Sequence, residues 1–118
     1  MQNRVQSERN QQLERAIAEI REKFLLGLDT RVAVLDELLI QVEEADDFRG
    51  PMSRISDEAH RISGVAKTLG LSELGQMAGR IENDVHEALG LDHPTPASIA
   101  SFIHSVDSML DHMDRLTS

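Results

Sequence analysis

Met52, Ile55, Ala59, Ile62, Ala66 and Leu69 follow one another in alternating three- and four-residue steps. Steps of that kind return to one side of a helix with 3.6 residues per turn and to neither face of a strand. The segment is therefore read as a helix with one continuous buried seam. Pro51 sits at its start, where a missing N–H would have been unpaired in any case. Gly70 follows its end, ready to take the left-handed backbone that stops a helix.

The same period recurs on both sides of this segment. Leu74, Ala78, Ile81, Val85 and Leu89 form a seam that Gly90 and the loop "LDHPT" close, with Ser72 as cap and Glu73 in the first turn. Thr95 followed by Pro96 announces another helix, lined by Ile99, Phe102, Ile103, Val106, Leu110, Met113 and Leu116. Upstream, Leu13, Ile17, Ile20, Phe24, Leu28, Leu35, Leu39 and Val42 predict helix over about 13–45, kinked near Gly27 to Thr30. One straight helix of that length would outrun so small a bundle at about 1.5 Å per residue. A break is therefore expected, or an overhang that packs across the bundle end or against another chain. The acidic run "EEADD" at 43–47 reads as a solvated helix end.

No period-two alternation long enough for a strand occurs, and the link between the Met52 and Leu74 helices is only a few residues. The expected fold is all-α: an antiparallel up-and-down four-helix bundle with an N-terminal helical extension. Residues 1–19 form the polar segment or extension, with Val5 the only large apolar residue after Met1 in the first dozen, and residues 20–118 form the bundle.

Composition narrows the function. With 12 basic against 21 acidic residues the net charge is -9, which repels a phosphate backbone, and an aromatic share of 3% offers no platform for bases, so nucleic acid is not the expected partner. The absence of cysteine removes disulfides, thiolate metal sites and cysteine nucleophiles. The longest apolar runs, such as "FLLGL", fall far short of the roughly 20 residues of a membrane helix, and the N-terminus has no apolar signal core. The expectation is a cytoplasmic protein without a membrane partner.

On the Met52 helix, successive residues turn by about 100°, which sets the apolar seam roughly 130° away from His60. His60 faces outward. Ser53, Ser56, Asp57, Ser63, Gly64 and Lys67 fall within about 60° of it, so its neighbours on that face are small or polar. Gly64 costs about 1 kcal/mol relative to alanine in a helix interior and adds nothing to the core from that side. Such a cost without a packing gain points to close approach by another molecule. An exposed neutral imidazole keeps one unprotonated nitrogen able to attack phosphorus.

His60, Gly64 and Gly70, with Leu69 and Leu71 flanking the last and "LSELGQMAGRIE" continuing as the next helix, resemble the motif of the histidine-containing phosphotransfer (HPt) domain family. The resemblance covers roughly residues 20–117 in helix order and is specific over 59–74. It implies that His60 accepts a phosphoryl group from the phospho-aspartate of a receiver domain and passes it to another receiver. The chain would be a phosphocarrier in a two-component phosphorelay rather than an autonomous kinase. It would have no cofactor of its own, and the Mg²⁺ would sit on the partner. The implied partners are a response-regulator receiver domain, a hybrid sensor histidine kinase, or both, docking over Ser56, Asp57, Ser63 and Gly64. Many family members carry lysine three residues after the histidine, where this chain has Ser63. Lys67, two turns along on nearly the same face, is read as the substitute cation for the phosphoryl oxygens. The alternative is a non-catalytic helical-bundle interaction module that binds a receiver or other signalling partner.

Other constellations are explained more cheaply. His104, Asp107, Asp111 and His112 could line a metal-binding face, but they also suit the outer face of an amphipathic helix, and no metal site is assigned. Glu82 and His86 are a helical pair without the doubled Glu-x-x-His motif of di-iron bundles. Gly75 and Gly79 share one side of their helix, as close helix packing would require.

Overall fold

The computed structural model describes residues 2–44 and 47–117. Ala45 and Asp46, in the middle of the acidic run, lie outside the described residues. The described residues form five helices and no strand: α1 (Gln2–Leu26), α2 (Leu28–Glu44), α3 (Arg49–Thr68), α4 (Ser72–Leu89) and α5 (Pro96–Thr117). The break expected near Gly27 is a single residue. Gly27 N–H is shared between the carbonyls of Lys23 and Phe24 at 3.1 and 3.2 Å, a tightening that ends α1, and α2 begins at once.

Helix α3 packs on α2 and α4, and α5 packs on α2 and α4, so the four surround one core. The whole α3 seam is buried, with Met52, Ile55, Ala59, Ile62 and Ala66 fully so. Each large member, such as Ile62, contributes about 2 kcal/mol by leaving water. Leu74, Ala78 and Ile81 from α4 and Phe102, Val106, Met109 and Met113 from α5 meet it from the other side.

The links follow from local chemistry. Gly70 has φ +74°, Leu71 N–H donates to Ala66 O at 2.9 Å and Gly70 N–H donates to Lys67 O at 3.3 Å. This is a Schellman turn, and buried Leu71 supplies its apolar contact. The turn also displaces the expected cap: Leu71, not Ser72, is the N-cap of α4, because Gly75 N–H already bonds Leu71 O at 3.0 Å, and no side chain caps that end. Thr95 does cap α5, its Oγ1 accepting from Ser98 N–H at 3.1 Å. Arg49, opening α3, reaches the carbonyls of Leu89, Leu91 and Asp92 at 3.4–3.5 Å, so the start of α3 lies beside the end of α4.

Two expected core residues of α1 are not in the core. Leu13 is 60% and Ile20 50% exposed, and every residue from Arg4 to Ala16 is exposed. Their spacing is helical, but α1 meets the bundle only along Ile17, Phe24 and Leu25 near its end. The long axis of the molecule is 64 Å against 27 and 19 Å across, because α1 projects past the bundle.

Candidate functional site

His60 lies in the middle of α3 on the side away from the core, with its side chain 80% exposed. Nδ1 is 3.1 Å from Glu82 Oε2 on α4, and the ring has no other hydrogen-bond partner among the described residues. With Nδ1–H donating to the carboxylate, the lone pair is on Nε2, the nitrogen at the outer edge of the ring. A carboxylate in this position fixes the tautomer, limits ring rotation and favours the imidazolium that forms when Nε2 becomes bonded. Glu82 is itself half-buried, and Ser56 and His86 line the shallow groove beside it.

Glu82 is the site residue that the linear reading missed, having been paired there only with His86. A signal was available in the turn. His60 lies ten residues before Gly70 and Glu82 twelve after it, so a hairpin about Gly70 brings them level. Gly75, Gly79, Glu82 and His86 also recur at steps of four, three and four, which gives α4 a second stripe, turned toward α3.

The other expected residues fall into two groups. Asp57, Gly64 and Lys67 are exposed on the His60 side of α3, and Ser56 is half-buried toward α4. A Cβ placed on Gly64 would meet nothing within 4 Å, so no contact inside the chain requires this glycine. Ser63 departs from the expectation of an open face: it is 7% exposed. It trails His60 by about 60° on the side where α4 packs, and Gly75 lets α4 close over it, the Ser63 carbonyl lying 3.9 Å from the Gly75 Cβ position. The position three after the histidine is thus part of a helix contact here.

Lys67 lies across that contact. Its Cγ is 3.5 Å from where a Cβ on Gly75 would be, so its stem follows the α3–α4 groove over bare backbone. Gly75 accordingly serves close packing as expected, whereas a Cβ on Gly79 would meet nothing within 4 Å. The groove holds about 570 Å³ and is lined by Ser63, Lys67, Gln76, Arg80 and Asn83 around these glycines. Arg61, next to His60 in sequence, is held by Glu58 at 2.9 Å, and Glu58 also pairs with Arg31 at 3.7 Å.

The residues of the possible metal face do not converge. His112 is turned inward, 13% exposed, with Nδ1 3.9 Å from Glu73 Oε2, and the described residues contain no group of three or more His, Asp or Glu placed to share a metal ion.

The model of the Hpt domain matches residues 19–116, most of the chain and all of the bundle but the last residue of α5. The chain belongs to the Hpt domain family. No curated protein and no solved structure matches it. As an Hpt domain it belongs to histidine phosphotransfer in two-component signalling in general, a chemistry in which such domains interact with receiver domains and kinases. No helix among the described residues is long and apolar enough to cross a membrane.

Proposed function

We propose that this Hpt domain relays a phosphoryl group between receiver-domain aspartates through Nε2 of His60, presented by an antiparallel four-helix bundle of α2–α5. The observation that carries the reading is the 3.1 Å contact of Nδ1 with Glu82 beneath a ring that is 80% exposed. The Nε2 lone pair forms the P–N bond as the P–O bond of the acyl phosphate breaks, and that electron pair leaves on the receiver's aspartate. The ring becomes a phospho-imidazolium, whose Nδ1–H stays against the Glu82 carboxylate. Return to a second aspartate reverses each change.

The other roles follow from position. Gly64 leaves room for the incoming domain, with Asp57 and Ser56 at the edge of the footprint, and Lys67 adds positive charge to a chain that is otherwise acidic. Mg²⁺ belongs to the receiver, and the Hpt chain needs no cofactor of its own. A partner receiver domain and a hybrid sensor kinase are the expected sources and sinks of phosphate, in the cytoplasm.

Ser63 in the place of lysine favours a second reading, a bundle that binds a receiver without chemistry. One experiment separates them. The chain is mixed with a phosphorylated receiver and then with a second, unphosphorylated one. A relay takes up acid-labile, base-stable label and gives it to the second receiver, and His60→Gln abolishes both steps. Binding with no label on the wild-type chain leaves only the interaction module.

A further inference from the structure

Residues 4–16 of α1 are exposed all round, and the helix packs only on α2 and α5, near its own end. A helical stretch of that length is marginal in water unless a packed face supports it. The only ion pair of α1 among the described residues, Arg4 with Glu8 at 3.6 Å, is exposed and adds little. Four of the seven large apolar side chains exposed among the described residues, Val5, Leu13, Ile20 and Leu26, lie on α1. Unpartnered apolar surface is thus concentrated on the helix that the bundle supports least.

Direction sorts these four. At about 100° per residue, Leu13 and Ile20 point within about 20° of each other, and Ile17 and Phe24 fall with them in a sector of about 60°. The steps 13, 17, 20, 24 alternate four and three, the a/d repeat of a two-stranded coil. The bundle takes only one side of this stripe. Phe24 is buried, and Ile17 and Leu25 are half-buried. Ile20, about 40° beyond Phe24 and about 140° from Leu25, stays exposed, as does Leu13 farther out along α1. Val5 and Leu26 stand about 80° and 140° from Leu13, off the stripe.

The flanks of the stripe indicate what covers it. With Leu13 and Ile20 at d and Ile17 at a, Arg9 is at g, and Glu14 and Arg21 are at e. Two copies lying parallel in register place Arg9 of each opposite Glu14 of the other. Two copies lying antiparallel, Ile17 on Ile20, place Glu14 opposite Arg21. Neither arrangement opposes like charges at the flanks over 9–23. The chain as a whole, with a net charge of -9, repels its own copies, but α1 carries five basic residues against four acidic ones. It is the helix on which two copies can meet without that repulsion.

We infer that α1 is a self-association surface, on which the Leu13, Ile17 and Ile20 stripe pairs with the same stripe of a second copy of this chain. The paired stretch is short, about 18 Å of helix from Arg9 to Arg21 at about 1.5 Å per residue. The pair is therefore weak, with a Kd of about 10–100 µM, and is dissociated at about 1 µM. Because α1 packs on neither α3 nor α4, pairing leaves His60 open in both copies.

The test is analytical ultracentrifugation of the full chain from about 1 to 500 µM. The mass is expected to rise from one chain to two across that range. Leu13→Glu and Ile20→Glu should each weaken association by about tenfold or more, while Val5→Glu and Leu26→Glu, equally exposed but off the stripe, change it by less than about twofold. At about 1 µM Leu13→Glu should melt as the wild type does. Glu14→Lys should weaken pairing, and a second change should restore it: Arg9→Glu if the helices run parallel, Arg21→Glu if they run antiparallel. Phosphoramidate, a small donor that phosphorylates imidazole directly, should label His60 at the same rate in paired and dissociated wild type. One chain mass at every concentration, equal losses from the off-stripe variants, or rescue of Glu14→Lys by neither partner change overturns the inference. Labelling that slows tenfold on pairing also overturns it, since the contact would then lie over α3.

Discussion

Replacing Glu82 by alanine removes the one group among the described residues that holds the His60 ring. The interaction lost is a charge-assisted hydrogen bond of 3.1 Å. In a desolvated site such a bond would be worth about 1.5–3 kcal/mol, but the imidazole is 80% and the carboxylate 30% exposed, so water screens it. Coulomb's law near the aqueous limit gives about 1 kcal/mol for unit charges about 4 Å apart. That stabilisation grows as the ring becomes an imidazolium, so it falls mainly on the transition state and slows phosphoryl uptake by about fivefold. Glu82→Gln keeps an oxygen acceptor for Nδ1–H without the charge and should fall between wild type and alanine. The assay is the single-turnover rate of His60 labelling from a saturating phosphorylated receiver, with thermal melting as the control for folding. A wild-type rate in Glu82→Ala would show that the contact does not act on transfer. A loss of a hundredfold or more would also refute the reasoning, since an orienting contact this exposed cannot supply it.

Gly64→Leu should fold, as nothing inside the chain lies within 4 Å of the added Cβ, yet slow uptake from a receiver domain without slowing phosphoramidate labelling; equal rates with both donors would remove Gly64 from the docking surface. Gly70→Ala must hold alanine at φ +74° and should cost about 1–2 kcal/mol, lowering the melting temperature by several degrees; an unchanged melting curve would contradict the turn. Leu13→Ser and Ile20→Ser should each change stability by less than about 0.5 kcal/mol, because both residues are exposed, while Phe24→Ala should cost about 3 kcal/mol or more in chemical denaturation; comparable losses in all three would place the α1 overhang in the core.

The helices and their seams were legible because the apolar steps of α3, α4 and α5 encode burial directly, and Gly70 and Thr95 marked their ends. What resisted reading is relational. Ser63 and Gly64 are adjacent in sequence and both lie within about 60° of His60, yet one is buried and the other exposed. Only the side from which α4 approaches distinguishes them. Leu13 continues the apolar period beyond the part of α1 that packs on the core, and Ile20, between packed Ile17 and Phe24, is half exposed all the same, so periodicity overstated the core. Glu82 was visible as an acidic residue on the next helix, but its role required counting outward from the turn in both directions. Gly75 and Gly79 look alike in sequence; one carries the Lys67 stem and the other faces open space.

The central claim is that one imidazole among the five histidines of this chain carries the phosphoryl group. After brief exposure to a phosphorylated receiver, the chain is digested at neutral to basic pH and every histidine-containing peptide is sequenced by mass spectrometry. Phosphate on His60, absent from His86, His93, His104 and His112, is the predicted result. Phosphate on another histidine, or on none while the receiver stays bound, would contradict it.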